Sequence, residues 1–186
     1  MSARDLAWIA GTVLGLAGGG FALHVPGSYG DQVSLGAGLF GFVLGFVNGV
    51  ALGILQWVAM GVSRRRGVRL VLAMGIAVGA THGLHDGTGS PIPYWAVALV
   101  AGVSVAGACA WILGERDRTR LAAIGLAWAT GLIVARWIGG VLGLPWSDTP
   151  LGWSTDHALN GIVVGLVWGV ATAAIRLPER LRAAEA

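Results

Sequence analysis

Residues 41–66 read GFVLGFVNGVALGILQWVAMGVSRRR, and this stretch decides the fold class. It runs from Gly41 to Ser63 without a charged side chain, and three arginines follow at once. A helix that crosses a bilayer needs about 20 mostly apolar residues, each rising about 1.5 Å. The stretch therefore predicts a transmembrane helix that ends against a basic connection.

The composition of the whole chain agrees with that prediction. Of 186 residues, 55% are hydrophobic and 11% are charged, and the mean hydropathy is +0.75. Soluble proteins carry about 25% charged residues, so this chain has too few to cover a surface that faces water. We expect most of its surface to face the lipid bilayer, and we expect no nucleic-acid partner despite the net charge of +3.

Six apolar stretches are long enough to cross a bilayer, which predicts an all-α integral membrane bundle of six transmembrane helices in a single domain, residues 1–186. The second stretch is too long for an upright helix, so it either tilts strongly or begins with an interfacial piece around Val33–Gly38. The stretches are Leu6–Leu23, Val33–Val62, Val68–Leu84, Tyr94–Leu113, Leu121–Leu144 and Ala158–Ile175.

The arginines outside the spans, together with Arg69 at the start of the third, predict the orientation. They occur before the first span, after the second, after the fourth and after the sixth, and the other three connections have none. By the positive-inside rule both termini are cytoplasmic, and we expect the cytoplasmic (inner) membrane of a bacterium. These residues are Arg4, Arg64, Arg65, Arg66, Arg69, Arg116, Arg118, Arg120, Arg176, Arg180 and Arg182.

The spans also repeat in pairs. Leu6-Ala7-Trp8 resembles Leu126-Ala127-Trp128, and the Asn48-Gly49-x-x-x-Gly53 segment resembles Asn160-Gly161-x-x-x-Gly165. The repetition predicts three helical hairpins at about residues 5–62, 67–114 and 119–177. Each hairpin enters from the same side, so the repeats are parallel, whereas inverted repeats are typical of many transporters.

Glycines recur every four residues along three of the spans, so each row shares one face of a helix. Close backbone approach is a main source of helix association in lipid. We therefore predict that these faces pack against each other or against another subunit. The rows are Gly41, Gly45, Gly49 and Gly53; Gly75, Gly79 and Gly83; and Gly161, Gly165 and Gly169.

One motif extends this pattern. The segment Gly49-x-x-x-Gly53-x-x-Gln56-Trp57 resembles a group of uncharacterised bacterial polytopic membrane proteins built from repeated Gly-x-x-x-Gly-x-x-Gln-Trp hairpins. The third hairpin departs from the motif, because Trp168 stands where the glutamine should be. The resemblance implies a bundle of helical hairpins and no particular activity.

Histidines and aspartates gather at the ends of spans on the side without arginines. His82, His85 and Asp86 are spaced so that one helical turn could direct them at one point, and His157 shares the stripe of Gly161. Imidazole and carboxylate groups bind transition metals, and imidazole also binds tetrapyrroles. The three histidines are thus candidate cofactor ligands and, with Asp86, candidate metal ligands. Alternatively they cap helices or contact lipid headgroups. The others on this side are His24, Asp31, Asp148 and Asp156.

Four further polar residues lie within spans. Asn48, Gln56 and Asn160 either hold helices in register by hydrogen bonds or line a path for a small solute. Arg136 either pairs with an aspartate or extends its side chain to lipid phosphate. The candidate aspartate partners of Arg136 are Asp148, Asp156 and Asp86.

The tryptophans divide between two predicted roles. Trp8, Trp57 and Trp111 lie near the arginine-bearing ends of spans, where the indole ring favours the headgroup region. Trp128 and Trp168 lie deeper, so we expect them to pack between helices.

These features favour a non-catalytic membrane subunit or scaffold in a larger complex, respiratory or photosynthetic, with other membrane subunits or further copies of itself as partners. A channel or transporter for a small solute or ion is the alternative. A metal- or tetrapyrrole-binding protein is the third possibility, and the cofactor is otherwise unknown or absent. We expect no enzyme, because none of the serines has the context of a catalytic nucleophile and no phosphate-binding loop with lysine occurs.

Overall fold

The computed structural model describes residues 1–22, 34–88, 92–141 and 150–175, and this part of the chain is helical without strands. The all-α prediction is therefore confirmed. The helices are α1 (Ala3–Ala22), α2 (Leu35–Met60), α3 (Arg64–Thr88), α4 (Tyr94–Ala108), α5 (Arg118–Val141) and α6 (Pro150–Ala174). A π-helical turn, Cys109–Leu113, continues α4.

Four of these helices are long and apolar enough to cross a membrane: α2, α3, α4 with its π-helical turn, and α5. The segment Ala158–Ala174 of α6 is apolar but shorter. Within the described residues, this set of helices is compatible with a polytopic membrane protein.

Helix α2 is continuous from Leu35 to Met60. Its start is set by Ser34, whose hydroxyl accepts a hydrogen bond from the Ala37 amide, and its end by Gly61 in the left-handed conformation that glycine favours. Residues 35–38 therefore belong to the same helix as the rest of the stretch. At about 1.5 Å per residue the helix is about 39 Å long, which exceeds a hydrocarbon core of about 30 Å.

Two helices extend beyond their predicted spans. Helix α3 includes the arginines at its start and continues through Asp86 to Thr88. Helix α6 begins at Pro150, not at Ala158, in keeping with the preference of proline for the first turn of a helix. Asp156 and His157, which precede the predicted span, consequently lie within α6 and not before it.

The six described helices form a closed ring. Each packs against the next in the chain, and α1 also packs against α6. The pairs run antiparallel: on α2, Gly53 lies against Val71 of α3, whereas Gly45, two turns earlier, lies against Val78. The arginines at the starts of α1, α3 and α5 therefore share one end of the bundle, and the end of α3 with its histidines lies at the other.

The predicted glycine rows lie where helices approach closely, as Gly102 and Gly125 do between α4 and α5. A Cβ atom on Gly49 would meet the Met74 carbonyl oxygen, and one on Gly161 would meet that of Leu16. All ten predicted glycines lie at the α2–α3 or α1–α6 contact. Those between α2 and α3 are Gly41, Gly45, Gly49, Gly53, Gly75, Gly79 and Gly83; those between α6 and α1 are Gly161, Gly165 and Gly169.

Large apolar side chains remain on the outside of the ring, as lipid-facing helices require. Trp111, Trp95 and Trp137 are exposed at helix ends. Trp8 differs from its prediction, because it is completely buried and not at an interface. Its indole N–H donates to the Thr172 hydroxyl at 2.9 Å, so the polar group of Trp8 needs no headgroup.

Candidate functional site

A cavity of about 150 Å³ lies inside the ring and receives side chains from each of the six described helices. Its wall is mixed: apolar residues alternate with amides, imidazoles, a carboxylate and a phenol. The lining residues are Leu16 of α1; Asn48 of α2; Val78, Thr81, His82, His85 and Asp86 of α3; Tyr94, Val97 and Ala98 of α4; Trp128, Leu132 and Ala135 of α5; and Asn160, Gly161 and Val164 of α6.

Helix α3 supplies most of the polar wall. His82, His85 and Asp86 all line the cavity, so the helical spacing does bring them to one place. The Asp86 carboxylate lies 3.1 Å from His85 Nδ1 through one oxygen, and the other oxygen packs against the backbone of Gly41. The side chain of Asp86 is 19% exposed and that of His85 is 52% exposed, so this part of the cavity opens outward.

Tyr94, at the start of α4, joins the α3 wall to α5. Its ring lies edge-on to His85, with 5.8 Å between ring centroids. The guanidinium carbon of Arg136 lies 5.5 Å from the centroid of the same ring, which is a cation–π contact. Arg136 thus meets an aromatic ring, a partner that the sequence did not suggest.

Asn48 lies at the inner end of the cavity. Its side chain is 4% exposed, and its Oδ1 atom has no hydrogen-bond partner among the residues that the structure describes. Burying an amide oxygen without a donor costs about 1–3 kcal/mol, and the Oε1 atom of Gln56, outside the cavity, is buried without a described partner in the same way. Asn160, the matching residue of α6, lines the cavity as well.

Gln56 has a different position from Asn48. It lies two turns further along α2 and outside the cavity lining, completely buried, and its Nε2 donates to the Thr12 hydroxyl at 2.9 Å. Gln56 therefore links α2 to α1. This geometry matches the helix-register alternative for Gln56, whereas Asn48 and Asn160 match the solute-path alternative.

Three buried indoles close the inner end. Trp128 lines the cavity, Trp168 packs edge-on against it at 5.6 Å between centroids, and Trp8 packs against Trp168 at 5.9 Å. Trp128 donates to the Thr81 hydroxyl at 3.2 Å, which fixes the ring. The prediction that Trp128 and Trp168 pack between helices is confirmed, since both are buried. The cluster separates the cavity from the arginine-bearing end of the bundle.

The predicted cofactor ligands are only partly brought together. His82, His85 and Asp86 line one cavity, yet no three His, Cys, Asp or Glu side chains within the described ranges are grouped closely enough to hold a metal ion. The side chains of Asp156 and His157 are not among those that the structure describes. His24, Asp31, Asp148, Arg176, Arg180 and Arg182 also lie outside the described residues.

Sequence reasoning missed several lining residues, notably Tyr94, Trp128 and Thr81. Tyr94 was assigned only as the start of a span, and Trp128 only as a packing residue. The available signal was position: Tyr94 lies on the same side without arginines as His85, so it could have been grouped with the histidines.

Comparison of the chain with protein-family models, with curated proteins and with solved structures gave no match.

Proposed function

We propose that this chain is a membrane transporter for a small polar solute, which it binds in the central cavity. The observation that carries the proposal is the cavity itself: each of the six described helices contributes to it, and its polar side chains include a buried amide with a free acceptor. Polar residues inside membrane helices are functional candidates because they are costly to place there.

The tryptophan cluster favours a transporter over an open channel. Trp8, Trp128 and Trp168 fill the interior between the cavity and the arginine-bearing end. A solute that enters beside His85 would therefore be held until these rings move. Alternating access of a central site from the two sides is the usual mechanism of secondary transporters.

The packing of the glycine rows supports the scaffold hypothesis less than their spacing in the sequence does. That hypothesis took the rows as surfaces available to other subunits. In the described residues the rows are occupied by the chain's own helices, as between Gly49 and Met74 or between Gly161 and Leu16. A partner subunit would have to contact other faces.

Our proposal places the protein in a bacterial cytoplasmic membrane, with six spans, both termini cytoplasmic and the cavity open to the outside. The grouping of Arg4, Arg65 and Arg118 at one end of the bundle supports this orientation. We also propose three repeated hairpins. Asn48 and Asn160 support this, since they hold matching places in the sequence repeat and both line the cavity.

Osmotic swelling of proteoliposomes tests the proposed function. Vesicles with the purified protein are mixed with small solutes such as urea, glycerol, acetate and guanidinium, and the swelling rate is compared with that of empty vesicles. We expect faster entry of at least one solute, with loss of the effect in Asn160→Leu. Ser104→Ala is the control, because Ser104 lies outside the cavity lining and bonds only to its own helix. Rates equal to those of empty vesicles for the whole panel would contradict the proposal.

A further inference from the structure

The floor of the cavity offers an aromatic surface and no free donor. The indole N–H of Trp128 donates to Thr81 Oγ1 at 3.2 Å, and the Thr81 hydroxyl in turn donates to the Ala77 carbonyl at 2.9 Å. Both hydrogens are therefore used within the wall. A solute on this floor meets the ring of Trp128 and not its polar edge.

The wall contains two strong hydrogen-bond acceptors, the amide oxygen of Asn48 and the carboxylate of Asp86. Asn48 Oδ1 is buried and lacks a donor within the described part of the chain, and one oxygen of Asp86 packs against Gly41. Among the described lining residues Asp86 is the only Asp or Glu, and no Arg or Lys accompanies it. With neutral histidines the lining thus has a formal charge of −1.

The aromatic groups of the wall suit a positive charge. A cation near the face of a tyrosine or tryptophan is attracted by the negative face of the ring, most strongly where water is excluded. Tyr94 already makes such a contact with Arg136, at 5.5 Å from its ring centroid. Arg136 is not among the lining residues, so the formal charge of the lining does not include it, and its guanidinium lies beside the lining on the Tyr94 ring.

The volume limits the solute. The cavity measures about 150 Å³, and an apolar cavity of that size in another protein holds benzene. From the acceptors, the single carboxylate and the aromatic floor, we propose that the cavity binds a small cation that carries N–H donors, such as an alkylammonium or guanidinium ion. This inference rests on the proposed function, because it names the class of solute for the same site.

Three planar solutes of similar size separate the classes by charge: guanidinium, urea and acetate. Each is titrated at millimolar concentration into the purified full chain in detergent, at constant ionic strength, and binding is measured by calorimetry. We expect guanidinium to bind at least about tenfold more tightly than either of the others, since a hydrogen bond to a charged group contributes about 1.5–3 kcal/mol.

Two variants locate the site and one controls for folding. Asn48→Leu and Asp86→Asn should each weaken guanidinium binding by about ten- to hundredfold. Gln56→Leu removes an equally buried amide from the same helix but outside the cavity, and should leave binding within about twofold of the original. If Asn48→Leu does not fold, Asp86→Asn alone carries the test.

The outcomes distinguish the inference from the function. Urea or acetate binding as tightly as guanidinium would overturn the cation class, and so would the absence of binding by all three. Equal binding by Asp86→Asn and the original chain would overturn the site. In each case the swelling experiment decides the proposed function separately, because any solute that enters through the protein supports a transporter.

Discussion

Individual glycines show how little room the helix contacts leave. A Cβ on Gly49 would meet backbone atoms of α3, namely the Met74 carbonyl and the Cα of Gly75 at 2.7 Å. Backbone cannot move aside as a flexible side chain can, so the two helices would have to separate. On α4, by contrast, a Cβ on Gly107 would meet nothing within 4 Å.

We predict that Gly49→Ala lowers the free energy of unfolding by about 1–3 kcal/mol, as overpacking does elsewhere. Gly107→Ala should be neutral or stabilising by up to about 1 kcal/mol, because alanine is the better helix former. Unfolding in mixed detergent–SDS micelles, followed by circular dichroism, measures both. Similar midpoints for the two variants would show that the α2–α3 contact is looser than described.

The hydrogen bond between Trp8 and Thr172 gives a second prediction about single residues. Thr172→Val keeps the shape of the side chain but leaves the buried indole N–H of Trp8 without its acceptor. We expect a loss of about 1 kcal/mol in the free energy of unfolding. Ser104→Ala, which removes only a hydrogen bond within one exposed helix turn, is the matched control. An equal loss of unfolding free energy in this control would contradict the role of Thr172 as the acceptor that stabilises Trp8.

Among the helices, α2 shows how a single residue sets an end. Ser34 caps the helix by accepting from the Ala37 amide at 3.2 Å, and its own amide donates to the Gly87 carbonyl at 3.0 Å. The same residue therefore starts α2 and ties it to the end of α3, close to the Asp86 wall of the cavity.

We predict that Ser34→Ala lowers the free energy of unfolding by about 0.5–2 kcal/mol, the usual cost of losing an N-cap. Ser34→Asp should retain most of the stability, because a carboxylate can accept the same hydrogen bond. The unfolding midpoints of the three chains check this. Equal losses in both variants would mean that the hydroxyl does not act as a cap.

Sequence reasoning predicted the helices and their packing faces better than their partners. The spacing of Gly161 and Gly165 shows which face of α6 packs closely, but nothing in it identifies α1 as the neighbour. Trp8 was misplaced for the same reason: its hydrogen-bond acceptor, Thr172, lies at the other end of the chain. Contacts between distant segments leave no periodic signal.

The candidate site was predictable only in part. His82, His85 and Asp86 stood out because their spacing is local, and Asn48 and Asn160 because amides are rare in apolar spans. Tyr94 and Trp128 belong to the cavity only because α4 and α5 close the ring. The start of α6 was misjudged because Pro150 begins a helix well before the apolar run.

For the whole molecule, the described arginines other than Arg136 lie at one end and the cavity opens toward the other. The native cysteine, Cys109, is buried, so a new surface cysteine should be the main target of a polar thiol reagent. Ser63 lies between α2 and α3 at the arginine-bearing end, and Ile92 lies before α4 at the opposite end; both are exposed.

We predict that Ile92→Cys reacts with a membrane-impermeant maleimide added to intact cells, whereas Ser63→Cys reacts only after the cells are opened. The physical reason is retention of arginines on the cytoplasmic side. The unmodified chain measures background labelling of Cys109. Labelling of Ser63→Cys in intact cells would invert the orientation and place the cavity mouth inside.

The pairing of α1 with α6 has a consequence for biosynthesis. Helix α1 leaves the ribosome well before α6, its close-packed partner, whose glycines cover Ile9, Val13 and Leu16. Until α6 has been made, that side of α1 is accessible to lipid, chaperones and proteases. A nascent chain that stops before α6 therefore exposes this face of α1, by which quality control could recognise it as incomplete.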